Sequence, residues 1–219
     1  MPSPNYSHAA FGWPGANALT VDARGGGQFQ TIGAALTYAG NAFAAAQPRV
    51  IYIMAGTYTE SFTVPDRCSL VAYGPVTVVG TITLASCPNG IAIDGITVTR
   101  ALAANGIACT FAAGITSLVT LRNVAFTITT GGTALFARGA TITAEGQVVF
   151  DLNASTGISL QGGDATALTR FRGERIRVVG TGAAIGITTA TGGGAAGVDQ
   201  VAVEIDDLTF ELTDGAAGY

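Results

Sequence analysis

Four arginines stand close together near the end of the chain: Arg170, Arg172, Arg175 and Arg177. Guanidinium groups bind carboxylates and phosphates through paired hydrogen bonds, so this spacing predicts a binding site for a phosphate, a carboxylate or an acidic sugar. The acidic run that follows contains no base and comprises Asp199, Glu204, Asp206, Asp207, Glu211 and Asp214. If the two runs lie on neighbouring strands, their charges pair with each other. We favour this second interpretation.

Carboxylates elsewhere offer acid–base chemistry. Glu145, Asp151, Asp164 and Glu174 could supply the two carboxyl groups of a glycoside hydrolase. The alternative is that acidic residues beside Gly and Asn simply occupy exposed corners. Only geometry makes a carboxylate pair catalytic, and the single histidine of the chain, His8, is far away in sequence. We assign no catalytic residue, and the chain is predicted not to be an enzyme.

The sequence indicates neither a metal site nor a cofactor. Cys68, Cys87 and Cys109 are odd in number and match neither a disulfide framework nor a zinc site. Glycine triplets at 25–27 and 192–194 lack the lysine and the spacing of a phosphate-binding loop. The acidic residues match no calcium-binding loop.

Composition limits the possible partners. Only 11% of the 219 residues are charged, against about 25% in an ordinary globular domain. The net charge of −4 gives no general attraction for nucleic acid. The uncharged stretch from residue 101 to 121 is interrupted by Gly, Asn, Ser and Thr, so it does not qualify as a membrane span. Residues 1–13 have no features of a secretory signal.

An extended arm is predicted over residues 1–20. This segment contains Pro2, Pro4 and Pro14 and shows no periodicity. Aromatic side chains are favoured anchors at protein interfaces. We expect this arm to dock onto a neighbouring subunit through Tyr6, Phe11 and Trp13.

One amphipathic helix is predicted at about residues 30–40. Thr31 can act as its N-cap, and Gly40 can end it. The apolar positions recur at the spacing of one helix face, and they are Ile32, Ala35, Leu36 and Ala39.

After Pro48 the hydrophobic period changes from 3.6 to 2, and short β-branched runs alternate with turn residues. The pattern Ile91-x-Ile93-x-x-Ile96-x-Val98 recurs at Val119–Phe126 and at Val203–Phe210. The spacing from Leu121 to Ile205 is three times the spacing from Ile93 to Leu121. Two strands with a bent corner, repeated at such a period, predict a solenoid. We therefore expect a single parallel β-helix domain over residues 21–219, with the cysteines stacked as one interior ladder.

The segments VDARGGGQFQTIGAALTYA, RVIYIMAGTYTESFTVP and SLVAYG resemble the opening of pectin methylesterases and of the wider pectate-lyase-like superfamily. The resemblance covers Val21 to Gly74 and implies an all-β, right-handed, single-stranded parallel β-helix with an N-terminal capping helix. It implies no activity, because the catalytic motifs of both enzyme groups are absent and one fold hosts many functions.

Few charges protect the outer faces, and no capping helix is predicted at the C-terminal end. We expect neighbouring subunits to cover that end and part of the surface, in a homotrimer that belongs to a larger assembly. Similar β-helices occur in bacteriophage virions as capsid decorations, spikes or tail attachment proteins, and a virion is the expected location. The alternatives are a small lyase or hydrolase for acidic polysaccharide, or a secreted or cell-surface adhesin that binds glycans.

Overall fold

A computed structural model shows a right-handed parallel β-helix with one α-helix at its N-terminal end. The residues that the structure describes are 17–42, 47–101, 103–109, 114–162, 169–181, 185–190 and 201–212. The predicted arm residues Tyr6, Phe11 and Trp13 lie outside this part of the chain. No helix in the described ranges is long and apolar enough to cross a membrane.

Fifteen strands and one helix form the described structure. In chain order they are β1 (Ala18–Val21), α1 (Ile32–Ala42), β2 (Arg49–Tyr58), β3 (Phe62–Val64), β4 (Cys68–Val79), β5 (Ile82–Leu84), β6 (Ile91–Arg100), β7 (Asn105–Cys109), β8 (Ser117–Arg122), β9 (Ala125–Ile128), β10 (Thr133–Arg138), β11 (Ala140–Asn153), β12 (Thr156–Gln161), β13 (Thr169–Thr181), β14 (Ile185–Ala190) and β15 (Val201–Leu212).

The strands form two parallel sheets. The long sheet runs β1-β2-β4-β6-β8-β11-β13-β15, with β9 continuing the coil of β8 between β6 and β11. The short sheet runs β3-β5-β7-β10-β12-β14. Each coil therefore contributes a bent strand to the long sheet and a shorter strand to the short sheet. Strand pairing already begins at Ala18, which lies within the range predicted as the arm.

The interior is built from columns of apolar side chains that stack from coil to coil. One column runs through Val98, Phe126, Phe150, Val178 and Phe210. The rings of Phe126 and Phe150 are stacked, with centroids 5.0 Å apart and 3° between their planes. The three occurrences of the sequence repeat thus mark equivalent positions on three coils.

The coils are unequal in length. Ile93 pairs with Leu121, and the column continues through Ala144, Gly173 and Ile205. The prediction of three coils between Leu121 and Ile205 is confirmed. The first of these coils is the shortest in sequence and the last is the longest, so the repeat spacing holds only as an average over the three.

On three successive coils, the long-sheet strand bends at a residue whose backbone is in the left-handed region. These residues are Gly95 (φ 73°), Asn123 (φ 50°) and Gly146 (φ 68°). A Cβ atom at Gly146 would lie 2.5 Å from Oδ1 of Asn123 on the coil before. Glycine is favoured there by its positive φ, and a Cβ atom would also displace the side-chain amide of Asn123.

Helix α1 covers the N-terminal end of the core with the four predicted apolar residues. Oγ1 of Thr31 accepts a hydrogen bond from the backbone N–H of Ala34, at 3.3 Å, which confirms the N-cap. The carboxylate of Glu60, on the first coil, accepts from the N–H groups of Ile32 (2.7 Å) and Gly33 (2.9 Å). Three of the amides that a helix start leaves unpaired are thereby satisfied. The helix continues to Ala42, so the predicted end at Gly40 is wrong.

All three cysteines are buried, as expected, but they do not form one ladder. Cys68 lies in the long sheet and Cys109 in the short sheet, whereas Cys87 lies between β5 and β6. Ser69, which follows Cys68, pairs with Ala92 on the next coil. The chain therefore passes Cys87 before it completes this coil, and the predicted ladder is wrong.

We predict that Gly146→Ala lowers the free energy of unfolding by about 1–2 kcal/mol, because alanine is strained in the left-handed region. Chemical denaturation in urea measures this change. The matched control is Gly40→Ala, where a Cβ would meet nothing within 4 Å. This control should gain up to about 1 kcal/mol, because alanine favours helix over glycine. Equal effects of the two substitutions would contradict the assigned corner geometry.

Candidate functional site

The four arginines of the sequence cluster all project from the outer face of β13. Strand periodicity places Arg170 and Arg172 outward, while Phe171 between them is fully buried. The strand bends at Gly173–Glu174, so Arg175 and Arg177 return to the same outer face after a step of three residues. We call this row of four side chains the arginine row. Along the strand, Arg170 and Arg172 are ~6.6 Å apart.

The arginine row faces the described part of the acidic run, which lies on β15 of the next coil. Asp199 and Asp214 lie outside the described residues. In the register of β13 and β15, Arg172 lies opposite Glu204 and Arg175 opposite Asp207. Arg177 makes a two-point ion pair with Glu211, with Nε to Oε1 at 2.9 Å and Nη2 to Oε2 at 2.6 Å. The favoured interpretation, pairing of the two charged runs across neighbouring coils, is therefore confirmed at Arg177. Binding of an external anion by the arginine row stays a prediction.

Hydrogen bonding shifts both partners of this pair. The hydrogen bond to Glu211, followed by its negative charge, raises the pKa of Arg177. The hydrogen bond from Arg177 is likewise the main cause that lowers the pKa of Glu211. Both side chains are substantially exposed, at 42% and 49%, so water and salt screen the attraction.

The surface between the two runs is shallow. A depression of about 90 Å³ is lined by Gln147, Arg175, Ile176, Arg177, Asp207 and Thr209. Pockets for small molecules usually measure about 300–1,000 Å³. The arginine row therefore forms an open strip, which is too shallow to enclose a small molecule and is better suited to an extended or flat ligand.

A second charged column crosses the outer face of earlier coils. Asp94 on β6 lies opposite Arg122 on β8, and Nε of Arg122 donates to Oε2 of Glu145 on β11. The hydrogen bond to Glu145, its charge and the charge of Asp94 all raise the pKa of Arg122. Sequence reasoning missed this column although the signal was present, because Asp94 and Arg122 each follow the second apolar residue of the repeat.

The predicted carboxylates are only partly brought together. Glu174 lies opposite the bulge at Glu145–Gly146 and accepts a hydrogen bond from the N–H of Gly146 at 3.2 Å. Glu145 is engaged by Arg122. Asp151 projects outward further along β11, and Asp164 lies outside the described residues. Two of the four carboxylates thus neighbour each other, and each is held by a structural partner.

Charged side chains of the described coils pair with each other across the outer face. Within the described ranges, no group of three or more His, Cys, Asp and Glu side chains is arranged to hold a metal ion. Burial is the main cause that raises the pKa of all three cysteine thiols. It raises the pKa of Cys68 to about 12, although nearby Arg49 lowers it in part.

No protein-family model matches this chain, and no curated protein matches it. Among solved structures, the crystal structure of the pectin methylesterase from Aspergillus niger in deglycosylated form is similar, with a TM-score of 0.46 and 13% sequence identity. The alignment covers 90% of this chain and 87% of that one. The activity named there describes the fungal enzyme.

We predict that Arg177→Ala raises the pKa of Glu211 toward its ordinary value, because the hydrogen bond and the positive charge are lost. A carbon-13 NMR titration of the Glu211 carboxyl measures the change. In the wild type, the lowered pKa means that the pair stabilises the fold above the ordinary carboxyl range. This contribution is lost as the pH falls through the lowered pKa.

The matched control is Arg170→Ala on the same strand, since Arg170 lies opposite Ala202. Its removal should leave the titration of Glu211 unchanged. An unchanged pKa of Glu211 in Arg177→Ala would show that the ion pair does not persist in solution.

Proposed function

We propose that this chain is a non-catalytic structural protein, which acts as a homo-oligomer within a larger assembly. The observation that supports an assembly most is the exposure of β15. Its core-facing residues with the greatest exposure are Val203 (39%), Leu208 (39%) and Phe210 (36%). Their partners one coil earlier are almost fully buried: Phe171 (0%), Ile176 (2%) and Val178 (1%). Contiguous exposed apolar surface is typical of protein interfaces.

The charges on the outer face support the structural interpretation. Arg122 binds Glu145, and Arg177 binds Glu211, each across neighbouring coils. Guanidinium and carboxylate groups that neutralise each other in this way support the stacking of coils.

The lateral faces support association between copies. The outer side of the long sheet carries uncharged residues such as Thr97, Thr99 and Thr127, and Tyr73 (65%) and Leu118 (44%) are the most exposed of its large apolar side chains. The charges of this outer face lie mainly on β13 and β15 and in the column of Asp94, Arg122 and Glu145. Thr97 and Thr99 have uncharged partners on both neighbouring coils, and such an area lacks the charges that keep β-proteins apart. A homotrimer joined through lateral faces, with the arm residues Tyr6, Phe11 and Trp13 docked on a neighbour, is the arrangement that we propose.

A bacteriophage virion is the assembly to which we extend this proposal, with the chain as a capsid decoration, spike or tail attachment protein. The extension rests on resemblance to β-helices of such particles. Mass spectrometry of purified particles from a host that encodes the chain tests it, since a structural component is present at a fixed stoichiometric number per particle.

We predict that the full-length chain sediments and scatters light as a trimer over a wide concentration range. A mass equal to one chain at every concentration would overturn the homo-oligomer. Two substitutions then locate the contact, because each introduces a charge on one face. Thr99→Glu alters the long sheet and Thr83→Glu alters the short sheet, and only the one within the contact should dissociate the trimer.

A second candidate function is binding of an acidic glycan by the arginine row. It is favoured by the outward projection of Arg170, Arg172 and Arg175, for which the described residues provide no ion pair within 4.0 Å. We predict that Arg172→Ala with Arg175→Ala weakens retention on immobilised polygalacturonate at least about tenfold. Arg67→Ala on another coil is the control for the loss of positive charge. Equal retention of all proteins, or cleavage of the polymer, would contradict this candidate.

A further inference from the structure

The last strand presents one free edge. β15 pairs with β13 on one side, and no described strand pairs with its other side. The N–H and C=O groups of a free edge readily bind another strand. The twelve residues of β15 are long enough for such an addition to continue the coil stacking by one more layer.

This edge is acidic on its outer side. Between Val201 and Leu212 there are four carboxylates and no basic residue. We call these residues the acidic edge: Glu204, Asp206, Asp207 and Glu211. Across a parallel ladder, opposite charges on neighbouring strands attract and like charges repel. A strand with basic side chains at its outward positions therefore binds here more favourably than one with acidic side chains.

A second copy of the chain fits this edge poorly. Two copies that meet through β15 bring one acidic edge against another. A copy that meets it through β1 is obstructed, because α1 packs over that end of the core and Phe29 bridges to Val21. The first arrangement is opposed by charge and the second by the helix.

The segments of this chain outside the described residues also lack basic side chains. All ten basic residues are arginines, and every one lies within the described ranges. Residues 1–16, 191–200 and 213–219 contain neither arginine nor lysine. None of these segments therefore offers the basic residues that charge complementarity with β15 requires.

Strand β13 shows which side chains complement β15. β13 pairs with β15 by placing Arg172 opposite Glu204 and Arg175 opposite Asp207. Arg122 shows that a charged group on this face can lie between opposite charges on both neighbouring coils, since it is opposite Asp94 and is paired with Glu145. The carboxylates of the acidic edge can likewise hold arginines on the two flanking strands.

We propose that β15 is the docking edge for a β-strand of another protein, with arginine or lysine at alternate outward positions and apolar residues facing Leu208 and Phe210. This rests on the proposed function, in which the last coil is covered within an assembly. The added strand continues the long sheet, buries the apolar row and pairs its bases with the acidic edge.

A synthetic peptide that copies residues 169–181 of this chain is the probe. Fluorescence anisotropy of the labelled peptide measures its binding to the full-length protein, and hydrogen exchange locates the contact. We expect saturable binding that weakens as salt rises and that slows amide exchange in β15. A peptide with glutamine at its four arginine positions should bind about tenfold more weakly.

The matched protein variants differ only in where two negative charges are removed. Glu204→Gln with Asp207→Asn removes them from the acidic edge, and we expect peptide binding to weaken about tenfold. Glu145→Gln with Asp151→Asn removes them from β11, two coils away, and should leave binding unchanged. Urea denaturation of both variants establishes that each remains folded.

Three results would overturn the docking edge. They are no binding of the peptide, equal binding by both double variants, or protection of β15 amides in the protein alone through contact with a second copy. The oligomer mass tests the proposed function separately. A monomer that still binds the peptide through β15 would remove the homo-oligomer and keep the docking edge.

Discussion

Each coil of this β-helix is held on the coil before it by parallel backbone hydrogen bonds, whose register shifts only at the bends of the long sheet. The direction of every side chain depends on that register. Because successive residues of a strand point to opposite sides, a slip of one residue would turn Phe126 and Phe150 to the outside and bring polar residues into the core. The stacked phenylalanine rings oppose such a slip. On the outer face, the same register sets Arg172 opposite Glu204 and Asp94 opposite Arg122.

Much of the fold follows from short-range patterns in the sequence. The period of two after Pro48 predicts strands, and the repeat from Ile93 to Leu121 to Ile205 identifies equivalent positions and the number of coils between them. The apolar face of α1 and its cap at Thr31 are equally local. These features are predictable because each depends on residues within one coil, or on one side chain that recurs from coil to coil.

Features that depend on coil length or on distant partners are harder to predict. The cysteine ladder fails because spacing in sequence converts to stacking only when coil length is constant. Glu60 caps α1 from the first coil, and nothing in the helix sequence indicates a partner so far along the chain. The column of Asp94, Arg122 and Glu145 escapes notice for another reason, since the repeat is recognised by its apolar positions. The arginine row and its pairing with the acidic run are predictable, because both are visible as blocks of like charge.

The coils between successive residues of a core column differ in length, which shows that the stack does not require coils of equal length. The short coil from Leu121 to Ala144 and the long coil from Gly173 to Ile205 place equivalent residues in the same column, so additions and losses at the corners leave the stack intact. The stack depends on alternating apolar positions and on a few bends, and it places much weaker constraints on the residues of the corners. A change in the length of one corner therefore leaves the partners within each column unchanged.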